Sequence, residues 1–191
     1  MTAFKTILSQ VLLEVPAVVL AVFLALAVNN CNEERKQEAA AAKTMEAILL
    51  EVKQNRSALE NNLKDNRLRS QQLSAARDTI KLKGTADGID LELGYDQTFL
   101  SRAAWEMAQI TGATQHFAPE LVQQLSLLYD LQNMYLEQGN QFLQQIATVD
   151  FYQAADHPKA QLDATLGLIH LAEAIGQSTL EQYNNFLKTY Q

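Results

Sequence analysis

Residues 31–83 contain neither a glycine nor a proline, a stretch of 53 positions with no turn signal. Its pattern is helical. Met45, Val52, Leu59, Asn66, Leu73 and Ile80 recur every seven residues, and Leu49, Arg56, Leu63, Ser70 and Arg77 fill the companion position. One register is apolar apart from Asn66 and the other is mixed, the pattern of a helix packed on one side and partly wet on the other. Lys81 and Lys83 in the last turn, followed by Gly84, make a stop signal.

The rest of the chain reads the same way. Only 7 glycines and 3 prolines occur in 191 residues, so an all-α domain is expected. Residues 84–97, GTADGIDLELGYDQ, hold three of the glycines and read as a loop. Asp87, Asp90, Glu92 and Asp96 lie in it, but their spacing lacks the alternate ligands, central glycine and closing glutamate of a helix-loop-helix calcium site. A short helix is expected over 98–111, carrying Trp105, with a break at 112–119. Two long helices complete the chain. One carries Leu121, Leu125, Leu128, Tyr135, Phe142 and Ile146 on a stripe, with Gln132 and Gly139 as its weak points. The other carries Leu162, Leu166, Ile169, Gly176, Leu180, Tyr183 and Leu187.

Each of these two helices is about 45 Å long at ~1.5 Å per residue, whereas residues 31–83 make about 80 Å. The mismatch suggests an antiparallel bundle of the two long helices and the short one with residues 55–191 as its domain, leaving 32–54 as a stalk. An isolated stalk would expose Met45, Ile48, Leu49 and Val52. It should then bend back, or pair with other copies or another protein, with Met45, Leu49 and Val52 as its association residues.

Ahead of that rod, residues 11–28 carry one charge, Glu14. Eighteen helical residues span about 27 Å, close to a ~30 Å hydrocarbon core. Residues 11–31 are therefore read as a membrane anchor continuous with the long helix, after a tail of residues 1–10. A cleaved export signal is the rival, because Lys5 precedes the apolar run and Ala25-Leu26-Ala27 offers a small-x-small site. Glu14 and Pro16 interrupt the apolar run and weigh against cleavage. Glu14, Ala17, Ala21, Ala25 and Val28 share one helical face on which small residues would admit a second helix. Glu14 either looks into that contact or lies at the headgroup level. Cys31 is the single cysteine, so no internal disulfide exists. Val28-Asn29-Asn30 does not supply the small residues that precede a lipidated cysteine.

Glu14, Ala25, Leu26, Asn29, Asn30, Asn32 and Glu33, followed by Arg35 and Lys36, fall in register with the N-terminal signature of a known group. The segment resembles an uncharacterised family of small bacterial single-pass membrane proteins. Ala21 stands where that family commonly has glycine, and Cys31 where it has tryptophan, which removes an aromatic interface anchor. The resemblance covers about 23 of 191 residues, with a vaguer similarity around Trp105, Gly112 and Tyr129. It implies an anchor and no activity.

A net charge of −7, from 15 Lys+Arg against 22 Asp+Glu, argues against nucleic acid as a partner. His116, His157 and His170 lack a partner at metal-ligand spacing. No phosphate loop, nucleophile elbow or zinc-protease motif is present. Trp105, Tyr129, Tyr135, Phe142, Tyr152, Tyr183 and Phe186 could line a ligand pocket, but at helical spacing they read first as core. No cofactor or metal is expected. Arg35, Lys36 and Lys43 after the span outweigh Lys5 and the amino terminus before it, which taken literally favours a cytoplasmic domain. The export-like start points the other way, to the periplasmic side of a bacterial inner membrane, and that side is the expectation. The functional expectation is a non-enzymatic membrane scaffold or accessory subunit, in contact with lipid and forming a homo-oligomer or joining a membrane complex. The alternative is a ligand-binding sensor-like bundle. With only about ten residues ahead of the span, such a sensor would signal through a partner.

Overall fold

The computed structural model describes residues 2–85, 88, 96–147 and 158–190, with side chains from Val18 onward except at 145–147 and 158. All regular structure among them is helical: α1 (Thr2–Lys83), α2 (Ala103–Ile110), a 3-10 turn (Ala113–His116), α3 (Pro119–Ala147) and α4 (Pro158–Tyr190). From Ala17 to Lys83 α1 holds neither glycine nor proline, and it runs unbroken through that stretch. It ends where expected, with Gly84 in the left-handed region (φ 72°) and its N–H donating to the Ile80 carbonyl at 2.8 Å. Gly112 (φ 74°) turns the chain after α2, and Pro119 opens α3 at a position where its missing N–H costs nothing.

Cross-helix contacts fix the directions. Arg77 lies 3.9 Å from Asp163, Ser70 3.1 Å from His170, and Leu63 against Gly176, so α4 runs antiparallel to α1. Glu51 meets Tyr129 and Asn62 meets Tyr135, so α3 runs parallel to α1. Gln132 meets Tyr183, so α3 and α4 are antiparallel. The return path between α1 and α3 is residues 96–117, an ascending leg with only α2 and the 3-10 turn as helix. Neighbouring legs alternate in direction, giving an all-α bundle in which one leg is largely irregular. The helix expected over 98–111 begins only at Ala103. Residues 96–102 form no regular structure, and side chains of α1 and α3 capture their backbone, as described below.

The core has two parts. Ile48, Val52, Leu59, Leu100, Trp105, Leu125, Leu128, Tyr129, Tyr135, Tyr183 and Phe186 pack in the first. Leu73, Ile80, Phe142, Leu162, Leu166 and Ile169 pack in the second. Gly176 permits the close approach of α4. A Cβ there would lie 2.6 Å from Leu63 Cδ2 and 2.9 Å from Tyr135 Cε2.

The bundle takes in more of α1 than residues 55–83. Ala41, Ile48 and Val52 are buried, and Met45 and Leu49 pack against the first core. α2, the 3-10 turn and the last turns of α4, through Phe186 and Leu187, cover this part of α1. The expected stalk over 32–54 is therefore shorter, because the chain itself covers Met45, Leu49 and Val52. The bare part of α1 is residues 18–40, which are exposed throughout.

Among the described residues no helix is long and apolar enough to cross a membrane. The expected anchor over 11–31 runs across residues 11–17, whose side chains, Glu14 and Ala17 included, lie outside those described. Its second half is described. Val18, Val19, Leu20, Val22, Phe23, Leu24, Leu26 and Val28 point to every side of the helix and are each 47–70 % exposed.

Candidate functional site

The densest constellation of polar groups inside the bundle begins at Glu51. Its carboxylate is buried and accepts three hydrogen bonds, from the Tyr129 hydroxyl (2.6 Å), the Ser101 hydroxyl (2.6 Å) and the Ala104 N–H (3.0 Å). Ala104 stands in the first turn of α2, whose own N-cap residue, Arg102, makes no side-chain cap. Glu51 thus caps α2 from another helix, placing negative charge where the helix dipole and unpaired N–H groups favour it.

One turn further along α1, Asn55 reads the backbone of Ser101 on both sides. Its Nδ2 donates to the Ser101 carbonyl at 2.6 Å and its Oδ1 accepts the Ser101 N–H at 2.9 Å. Gln132 of α3 completes the clasp, donating to the carbonyls of Leu100 (3.2 Å) and Ser101 (3.0 Å) while its Oε1 accepts from Tyr183 (2.6 Å) and Asn55 (3.2 Å). Two turns on, Asn62 and Asn66 both donate to the Asp96 carbonyl, at 2.8 and 3.0 Å, and the Tyr135 hydroxyl donates to Asn62. Gln97 donates to the Leu136 carbonyl at 2.8 Å. Backbone outside helix and sheet must find partners for its N–H and C=O groups. Here amide side chains from α1 and α3 supply them.

Burial, joined by the hydrogen bond to Glu51, pushes the Tyr129 phenol far above its usual range. Burial with the nearby Glu51 charge does the same to Tyr183. Kept protonated, both phenols donate to the acceptors they face, Tyr129 to Glu51 and Tyr183 to Gln132. The Trp105 ring stacks on Tyr129 with centroids 5.8 Å apart and planes within 3°, closing the cluster with apolar surface. This chemistry positions chain segments. The carboxylate's three donors all come from the protein itself.

The residues singled out from sequence are dispersed. His116 lines a groove with Gln37, Ala40, Thr44 and Gly112, His170 pairs with Ser70, and His157 lies outside the described residues. Trp105, Tyr129, Tyr135, Phe142, Tyr183 and Phe186 are core residues, and Tyr152 lies outside the described residues. Ala21, Ala25 and Val28 sit on the bare helix with no partner from the bundle. Among the described residues no group of three His, Cys, Asp or Glu could hold a metal; Asp87, Asp90 and Glu92 fall outside them. A groove of about 450 Å³ between α1 and α4 is lined by Leu63, Lys64, Arg67, Gln177 and Leu180, and holds no nucleophile with a base beside it. Sequence reasoning missed Glu51, Asn55 and Asn62. Asn55 and Asn62 had a signal in a third heptad series, Ala41, Ile48, Asn55 and Asn62, one position before the mixed register, whereas Glu51 lies outside it.

Comparison with known families, with curated proteins and with solved structures finds no match to this chain.

Proposed function

We propose that the chain is a non-enzymatic, single-pass membrane scaffold or accessory subunit. Its bundle stands off the lipid on a bare stretch of α1, on the periplasmic side of a bacterial inner membrane. The observation that carries this reading is the second half of the expected span, which is apolar on all sides and touches nothing in the bundle. Burying a side chain of this size gains roughly 1.5–3 kcal/mol. Even at half that value, eight of them left in water forfeit on the order of 10 kcal/mol, as much as the whole stability of a typical domain. An apolar solvent on every side of the helix removes that cost. Lipid meets the requirement, since the helix satisfies its own backbone hydrogen bonds. The clasp around Glu51 adds support for a structural role, because its polar groups are spent on holding the irregular leg.

The test is fractionation of the full chain. It should remain with membranes through an alkaline carbonate wash. Arginine at both Val19 and Phe23 should release it, each costing about 2.5–3.5 kcal/mol at the centre of a span. Full-length protein recovered free of membranes without these changes would overturn the reading. Protease added outside spheroplasts should digest the bundle if the assigned side is correct, and protection would reverse the side.

A further inference from the structure

We infer that a second copy of this chain pairs with the bare segment of α1 in a parallel, in-register coiled coil centred on Leu24, Val28, Cys31 and Arg35. The inference rests on the anchor proposed above and names its partner. Four observations carry it.

First, these side chains line a shallow groove, with Ala25, Ala27, Asn29 and Asn32 along its rims, on a stretch of helix exposed throughout. Helical residues standing alone in water are marginal, and residues 29–36 are exposed on every side. Second, the seam is continuous with one that is already packed. Leu24 and Cys31 lie in the same heptad series as Met45, Val52 and Leu59, with Glu38 as its one charged member, and Val28 and Arg35 in the series of Ala42, Leu49 and Leu63. Leu63 is the residue on which α4 packs through Gly176. Among the described residues α4 runs to Tyr190, and none of them covers the corresponding groove of the bare segment. Third, the other side of α1 is taken. Gln37, Ala40 and Thr44 face the 3-10 turn, whereas Cys31 and Arg35 lie roughly half a turn away at ~100° per residue. A helix seated on the seam avoids the protein's own leg.

Fourth, one charge pair across the seam works against the net repulsion between copies. Copies of a chain with net charge −7 repel one another. Arg35 falls at a core position of the seam and Glu34 at the flanking one, so across a two-fold axis each Arg35 meets Glu34 of the second copy. The apolar and small residues Leu24, Val28 and Cys31 meet their own kind. Ala17 and Ala21 extend the same heptads toward the amino terminus, and the shared membrane holds both copies parallel and at equal height.

Cysteine cross-linking with a short bis-maleimide in native membranes tests the register. Full-length chains carry one cysteine each: the native Cys31, or Arg35→Cys, Glu33→Cys or Lys36→Cys in a Cys31→Ser background. Cys31 and Arg35→Cys should give a band of twice the chain mass, at least fivefold stronger than Glu33→Cys and Lys36→Cys, which lie ~140–160° around the helix from Cys31. Equal yields at all four positions, no adduct, or adducts with another protein overturn the pairing while the chain stays in the membrane fraction. Loss of the chain from that fraction is the separate failure of the anchor itself.

Discussion

Replacing Glu51 by alanine removes one side chain and leaves three donors without an acceptor. The Tyr129 hydroxyl, the Ser101 hydroxyl and the Ala104 N–H all bond to this carboxylate at 2.6–3.0 Å. Hydrogen bonds to a charged group contribute roughly 1.5–3 kcal/mol, and each donor left buried and unpaired costs about 1–3 kcal/mol. Ser101 lies nearer the surface and can recruit water, so its share is the smaller. The Ala104 share includes the loss of a cap, about 1 kcal/mol. The expected destabilisation is about 3–5 kcal/mol, read from urea unfolding of the full chain in detergent by tryptophan fluorescence. Trp105 is the single tryptophan and stacks on Tyr129, so it reports from the site itself. Tyr129→Phe should cost less, about 1–2 kcal/mol, because the carboxylate keeps two donors. The double variant should recover part of the sum, a coupling of about 1–3 kcal/mol. Hydrogen exchange should show protection lost first between residues 101 and 110. A Glu51→Ala change below about 1 kcal/mol, or unfolding lost evenly along the bundle, would refute the reasoning that this carboxylate holds the leg.

Alkali should unfold the bundle in a predictable window. Tyr129 and Tyr183 are both raised above the usual phenol value of about 10, so above that pH the unfolded chain releases protons that the folded chain keeps. Stability should be flat in these groups below pH 10 and fall with rising pH by up to about 2.7 kcal/mol per unit. Double replacement by phenylalanine should flatten that slope. Gly176→Ala should destabilise by about 1–3 kcal/mol, since its Cβ would meet the buried Tyr135 ring; an unchanged urea midpoint would show that the helices part without cost. Asn55→Ala should cost about 2–3 kcal/mol through the orphaned Ser101 backbone, and Asn55→Asp should not restore it, because a carboxylate cannot donate to the Ser101 carbonyl.

The helices and their stop signals were legible because the period of the apolar residues, the glycine at 84 and the proline at 119 are local features. The irregular leg was not. Nothing local in QTFLSRAAWEM forbids helix at 98–102, and its backbone is captured by Asn55, Asn62, Asn66 and Gln132, which lie about 30–46 residues away along the chain. The same distance hid Glu51. A carboxylate one position from Val52 reads as solvated until the leg that covers it is placed. The length of the stalk failed for a related reason. Residues 41–52 are covered by a short irregular stretch and by the last turns of α4, and neither shows in a comparison of helix lengths.

The uninterrupted course of α1 makes the protein a ruler as well as a platform. From Cys31 to Lys83 the helix rises about 78 Å, which carries Gly84 that far from Cys31. A lean of 10° at the foot sweeps the far tip sideways by about 14 Å at this rise. Small rearrangements among neighbouring foot segments would reach a distant contact as large strokes, with no hinge between them to absorb the motion.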